Sequence, residues 1–475
     1  MSYFIGIDIG ASFIKGAVID LEKLRVKNVT KYPAPTPTSP LSLSNNKANL
    51  RFEIHCDLYE KIVLKIIKEL LLGEKKIEGI VFSTQMHGMV LVDTQCNQLT
   101  PFIGWQDERL LEKAQKNQTW LDLLNKKVKK VDLSKTGITF RSGLMGSTLF
   151  WLHENRILKK HKDGKALFLG DYIAAKLTGG VMVAHSTNAC GSALFDVKKN
   201  TWDEKIINAL GIDKSFLPEV VPTGTKVGEF LHNKKYIPVF VSVGDMQTAI
   251  LGSFVGLKKD REICVNIGTG SQVSVIAENF RLGNYDIRSY FDGMYLNTVT
   301  FIPAGRALNV IIHFIEDIGH IFFHSKGGDV WEKLIVLLAN KKTRSGLTAN
   351  LSFFKNSVSQ DVGGSFSQIT ERNFTIQNIF LSALETMCEN YWIAYNRLGK
   401  LKITDNIICT GGLVRKLNHL RILLQEKFKR KIALAPYEEE TLVGLLILSL
   451  FIRGKFATLK DASRFVQKHK VKFIT

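Results

Sequence analysis

YFIGIDIGASFIKGAVID, residues 3–20, is the stretch whose reading decides the fold. Two apolar, β-rich runs flank Gly10, which predicts a strand, a tight glycine turn and a second strand. Such a turn bares backbone N–H groups that can hold phosphate oxygens. Asp8 ends the first strand, where a carboxylate can hold magnesium, often through water. Lys15 adds positive charge, and Ser12 a hydroxyl. Alone, a stretch like this is more often a plain hairpin with an exposed Asp. Its weight comes from repetition. EICVNIGTGSQVSVIAE, residues 262–278, is again strand, glycine turn, strand. Asp8 aligns with Asn266 and Gly10 with Gly268, both at an offset of 258 residues. A repeat near the middle of the chain predicts an internal duplication. The expected architecture is two α/β domains, residues 1–240 and 241–475, with a ligand cleft between them.

The bulk numbers agree with such a chain. At 475 residues it is too long for one ordinary core, and 45% hydrophobic with 23% charged residues argues against disorder. The 64 Lys+Arg against 44 Asp+Glu give a formal charge of +20. The lysines are scattered, as in KKVKKVDLSK (126–135), and join no base-stacking motif. A Lys-rich surface is therefore expected rather than a nucleic-acid site, and a nucleotide substrate suits the charge equally well. None of the six cysteines forms a C-x-x-C pair, so neither zinc nor a disulfide framework is expected on spacing, and a reducing cytoplasm is. The start carries Asp8 in its first apolar stretch and lacks a basic region, so no signal peptide is expected. TLVGLLILSLFI, 441–452, is too short to span a bilayer and suits a buried helix.

Between the two hairpins the pattern alternates. YPAPTPTSPLSLSNN, 32–46, reads as a loop. DLYEKIVLKIIKELLLG reads as a helix ending at Gly73, and IEGIVFSTQ as a buried strand. WLHENRILKKH and WDEKIINALG read as helices. Ile237–Val243 reads as a buried strand that ends in Gly244 and Asp245. A carboxylate at a strand mouth behind a glycine is a candidate base, although an Asp there often only caps the next helix.

Further motifs sit at strand ends. STQMHGMVLVD, 83–93, places Gln85, Met86 and His87 before a glycine. GWQDER, 104–109, offers Trp105, Gln106 and Asp107, an aromatic face with an amide and a carboxylate suited to a polyol. The plainer alternative is an Asp107–Arg109 ion pair beside a core Trp. NIGTGSQ, 266–272, presents Gly268, Thr269 and Gly270 to a phosphate chain. CTGGLVRKLN, 409–418, presents Gly411 and Gly412 between a strand and a helix, where adenine could lie against the backbone.

In this order the motifs resemble the FGGY family of carbohydrate kinases, over essentially the whole chain. The resemblance implies two ribonuclease H-like domains of the actin/hexokinase type. It implies ATP and Mg2+ as cofactors, with Asp8 and Asp245 at the metal and Asp245 as catalytic base. Gln85, Met86, His87, Trp105, Gln106 and Asp107 fall on the sugar side. Gly10, Ser12, Lys15, Gly268, Thr269, Gly270, Gly305, Gly411, Gly412 and Asn418 fall on the ATP side. Within the family the motifs are most similar to the sedoheptulokinases, which phosphorylate the terminal primary hydroxyl of a ketose. Gln106 separates them from the xylulokinases, the second choice. No nucleic acid or membrane partner is implied, and a monomer or homodimer is expected. Three departures stand out: Ala11 where Thr is common, Arg306 where glycine is common, and a second phosphate loop nearer the general family pattern. An actin-like ATPase shares the architecture but has no reason to carry the set around His87 and Trp105.

Overall fold

The computed structural model describes residues 2–37, 50–73, 76–115, 117–257, 261–324, 329–339, 344–359, 363–399 and 403–474. Two mixed sheets organise it. In the first, Tyr3–Ile9 lies between antiparallel Phe13–Asp20 and parallel Ile77–Thr84. Arg25–Pro33 continues beyond the hairpin, and Lys235–Phe240 and Lys226–His232 extend the other side. In the second, Arg261–Ile267 lies between antiparallel Ser271–Ala277 and parallel Ile403–Thr410, followed by Lys431–Leu434, with Tyr295–Ile302 beyond the hairpin. Five strands in each sheet share one order and one set of directions, so the duplication expected from the hairpins extends to the topology. The second sheet's edge strand, Asp286–Ser289, runs antiparallel beside Tyr295–Ile302, where the first sheet has instead a parallel strand from the far end of the sequence.

The central strands are apolar throughout because both sheet faces are covered. In the hairpin, Gly6 and Gly16 face opposite sides. Helix Cys56–Leu71 packs on one side, with Ile66 filling the space over Gly16. Helix Glu440–Ile452 packs on the other, with Leu445 over Gly6. The late apolar run is thus a buried helix, as expected, but it covers the sheet formed by the start of the chain. Lys472–Ile474 also joins the first sheet, at the edge of Arg25–Pro33, and Val243–Gly244 pairs with Ile77–Thr84. The sheets therefore do not divide at 240/241.

Two element expectations need correction. Ile237–Val243 is not one buried strand. Lys235–Phe240 is half-exposed, and the ladder breaks where Ser242 turns aside. Its hydroxyl donates to Asp171 at 2.5 Å and accepts from Asn188 at 3.0 Å, both buried partners. WLHENRILKKH is not one helix either: Met145–Glu154 and Ile157–Lys160 are separated by Arg156, at φ +59°. In the loop expected over 32–46, Tyr32 and Pro33 are strand, and residues 38–46 lie outside the described residues. The six cysteines are buried free thiols. Among the described residues no helix is long and apolar enough to cross a membrane.

Candidate active site

The first hairpin closes tightly, with Gly10 N–H donating to Phe13 O at 3.1 Å. Asp8 sits opposite Lys15 in the ladder. Its Oδ1 is buried without a hydrogen-bond partner. Asp245 opens the helix Asp245–Gly252 and accepts its own helix N–H, from Met246, at 2.7 Å. The charge of Asp245 reaches Asp8. Burial, then the charge of Asp245, pushes Asp8 up to about 7. Burial pushes Asp245 up to about 6, against the pull of the Met246 N–H and the Arg288 charge. Two carboxylates that cannot comfortably ionise together, one with an orphaned oxygen, fit a divalent cation. Asp8 and Asp245 would hold Mg2+, which when bound would neutralise phosphate charge.

The second hairpin, Gly305 and the Gly411 turn come together. Gly305 N–H donates to Gly268 O at 3.1 Å, and Arg306 N–H to Thr269 O at 2.8 Å. Gly411 lies at φ +93°, and a Cβ there would stand 2.4 Å from Ile267 O, so only glycine fits. Thr269, Gly270 and Gly412 are exposed on this face. Arg306, which replaces the common glycine, lays its guanidinium over the Phe354 ring at 4.3 Å. Lys15 pairs with Glu439 at 2.5 Å, tying the first hairpin to the start of helix Glu440–Ile452. Ser12 is exposed on the hairpin turn. Asn418 stands apart from the glycine turns. It is exposed at the start of helix Asn418–Phe428, where it accepts from Arg421 at 2.8 Å and lines a surface groove with Gln425 and Ile432.

The residues expected on the sugar side divide into two groups. Met86 packs against Gly244, the residue before Asp245: a Cβ on Gly244 would stand 3.2 Å from Met86 Sδ. That side of Gly244 is thus filled by Met86 and Gln247. His87 takes φ +65°, uncommon without glycine. Its Nδ1–H donates to Gly191 O at 2.7 Å, which leaves Nε2 as an acceptor. Burial and the charges of Arg288 and Arg141 hold it well below the usual imidazole range, so it is neutral. Trp105 is half-buried against Phe301 of the second sheet, and Gln106 is exposed.

Asp107 and Gln85 are turned elsewhere. Asp107 is 1% exposed and accepts from Arg109 Nε at 2.7 Å, Arg109 Nη2 at 2.9 Å and Phe52 N–H at 2.8 Å. Both oxygens are occupied by the protein, which is the ion pair and not a free sugar ligand. Gln85 directs its amide to Tyr59 OH at 3.5 Å. Asp107→Asn should therefore lower stability by about 3–5 kcal/mol, because it leaves Arg109 underpaired in the interior. Melting with and without sugar checks this, and a change confined to sugar KM would contradict it.

Sequence reading missed Arg141 and Arg288. Arg288 is buried, and its Nη1 donates to Met86 Sδ at 3.4 Å. It rides on the edge strand, which docks onto the first half of the chain: Ile287 N–H donates to Gly137 O at 2.7 Å. The strand's alternation is visible in the sequence. Its partner surface, some 150 residues earlier, is not.

Residues 3–252 match the model of the N-terminal domain of the FGGY family of carbohydrate kinases. The chain belongs to the FGGY family. Among FGGY relatives it is 29% identical over 289 residues to the xylulose kinase of Staphylococcus xylosus, covering 59% of this chain and 56% of the relative. The chain thus spans a little over half the length of that relative. With the gluconokinase of Bacillus subtilis it shares 24% identity over 494 residues, covering 98% and 90%. A ligand-bound xylulose kinase from Lactobacillus acidophilus superposes with a TM-score of 0.79 at 18% identity, over 98% of this chain and 92% of that one. The Plasmodium falciparum glycerol kinase with ADP gives 0.79 at 16%, over 100% and 95%. The FGGY fold, two actin/hexokinase-like domains, therefore extends across both sheets.

Proposed function

We propose that this FGGY chain transfers the γ-phosphoryl group of ATP to the terminal primary hydroxyl of an open-chain sugar or polyol. The juxtaposition of Asp8 and Asp245 at two strand ends carries the reading. A glycine hairpin follows Asp8, and Met86, next in sequence to the neutral His87, packs against Gly244. Phosphoryl transfer asks for alignment, charge neutralisation and a base near the hydroxyl. Asp245 accepts the hydroxyl proton, His87 orients the sugar through Nε2, and the turns at Gly10, Gly268, Gly305 and Gly411 receive the nucleotide. Motif resemblance puts sedoheptulose first, giving sedoheptulose 7-phosphate. Xylulose comes second, supported by the names of the relatives. Elements through Gly252, with the C-terminal helices, would form the sugar-side domain, and the second sheet the ATP-side domain.

ADP release over a panel of C5 to C7 ketoses and polyols tests this. The expected outcome is turnover only with an acceptor and magnesium. Equal ATP hydrolysis without any sugar would replace the kinase by an actin-like ATPase. Gly268→Val checks the phosphate loop separately. A Cβ there finds only Gly270 O, at 3.6 Å, so the fold tolerates it while the side chain projects over the turn. ATP affinity should fall with sugar affinity and melting temperature kept, as read by calorimetry.

A further inference from the structure

Arg141 and Arg288 form the least satisfied charged group beside the candidate catalytic carboxylate. They share one carboxylate oxygen, Asp286 Oδ2, at 3.9 and 3.5 Å. Arg109 shows what a satisfied guanidinium looks like in this protein. It has two carboxylates, with contacts of 2.7 Å to Asp107 and 2.7 Å to Glu53. By contrast, Arg141 Nη2 and Arg288 Nε are buried with no hydrogen-bond partner. Arg288 is only 2% exposed. An underpaired guanidinium in the interior is costly unless something completes it. Asp245 is the other carboxylate within reach of the Arg288 charge, and it is committed to the reacting hydroxyl. The pair is also placed for a ligand. Arg288 touches Met86, and Arg141 lies over Phe301 at 4.8 Å, whose ring meets Trp105. The two cations, which share a single distant carboxylate oxygen, therefore lie along the wall between Met86, beside Gly244, and Trp105.

We infer that the acceptor carries an anionic group, a carboxylate or a phosphate, at the end remote from the hydroxyl it presents to Asp245, and that Arg141 and Arg288 bind it. This rests on the kinase reading of Asp8 and Asp245 but departs from its order of acceptors, since sedoheptulose and xylulose carry no anionic group and would rank below an acid or a phosphate of similar length. The hydroxyl oxygen bonds to the γ-phosphorus, ADP leaves, and the hydroxyl proton passes to Asp245. The anion takes no part beyond binding. A planar guanidinium suits both groups because its N–H fork matches two oxygens.

The test compares acceptors of one carbon skeleton on the full chain. Gluconate and glucitol differ at the anionic end, and fructose 1-phosphate beside fructose separates phosphate from carboxylate. The wild-type protein should prefer one anionic member by at least about tenfold in kcat/KM. Arg288→Met should reduce that preference by about 10- to 100-fold, with Arg288→Lys intermediate. Arg141→Gln, at a more exposed position, should act in the same direction and decides the matter if the Arg288 variant fails to fold. A preference for the neutral members, or one untouched by these substitutions, overturns the inference. So does an equal rise in ATP KM with every acceptor, which would give the arginines to the nucleotide. If no acceptor supports ADP release, the kinase reading fails. Calorimetry without ATP still reports whether gluconate binds in an arginine-dependent way.

Discussion

Asp245→Asn should lower kcat by about 10²–10⁴, the usual worth of a positioned general base. The amide keeps the size of the carboxylate and can still hydrogen-bond a sugar hydroxyl, but it cannot take the proton. The loss should fall on kcat with sugar Kd little changed. The fold should not suffer. Burial holds Asp245 at about 6 and Asp8 at about 7, both above their ordinary 3.8. A carboxyl raised by folding contributes its stability below the unfolded pKa and loses it as pH rises through the folded value. Between pH 4 and 7 these two groups therefore make the metal-free protein progressively less stable. Asn at 245 removes part of that cost, so the variant should melt no lower than wild type at pH 5 and higher at pH 8. A helix cap alone would give a different pattern, because Asn caps as well as Asp and activity would persist. Near wild-type turnover in the folded variant would move the base away from Asp245.

Gly444→Val should be among the most damaging single changes to the fold. Helix Glu440–Ile452 crosses helix Asp245–Gly252 with backbones nearly touching. A Cβ on Gly444 would stand 2.1 Å from Thr248 O, and one on Gly252 1.9 Å from Glu440 O. Backbone cannot move aside as a side-chain end can, so a branched side chain must part the helices. The expected cost is about 3 kcal/mol or more, which in a chain of this size lowers the melting temperature by roughly 3 °C or more. Gly73→Ala is the matched control, since nothing lies within 4 Å of its Cβ. Equal melting of the two variants would show that the helices do not cross this closely. The same crossing carries Asp245 at its end, so a milder Gly444→Ala that still folds should lower kcat more than it changes ATP affinity.

Local chemistry made much of this protein legible in its sequence. Gly10 and Gly268 sit between apolar runs that can only be paired strands, and the shared offset announces two copies of one architecture. Asp8 and Asp245 are conspicuous because a carboxylate at the mouth of an apolar strand must have a partner or a purpose. Residues 441–452 are apolar on every side, which fits only a buried helix. Pairings between distant segments were settled by the tertiary structure alone. Asp107 looked available for a polyol, yet Arg109 and the Phe52 N–H consume it, and burial of an ion pair depends on what packs around it. Helix Glu440–Ile452 covers the opposite end of the chain from where sequence order would put it, because two glycines let it approach. Arg288 reaches Met86 only because the antiparallel edge strand of the second sheet docks onto Gly137. Periodicity and turn residues report what a segment does with its immediate neighbours. They carry no record of which surface a segment meets across the molecule, and that choice is made by shape and charge in three dimensions.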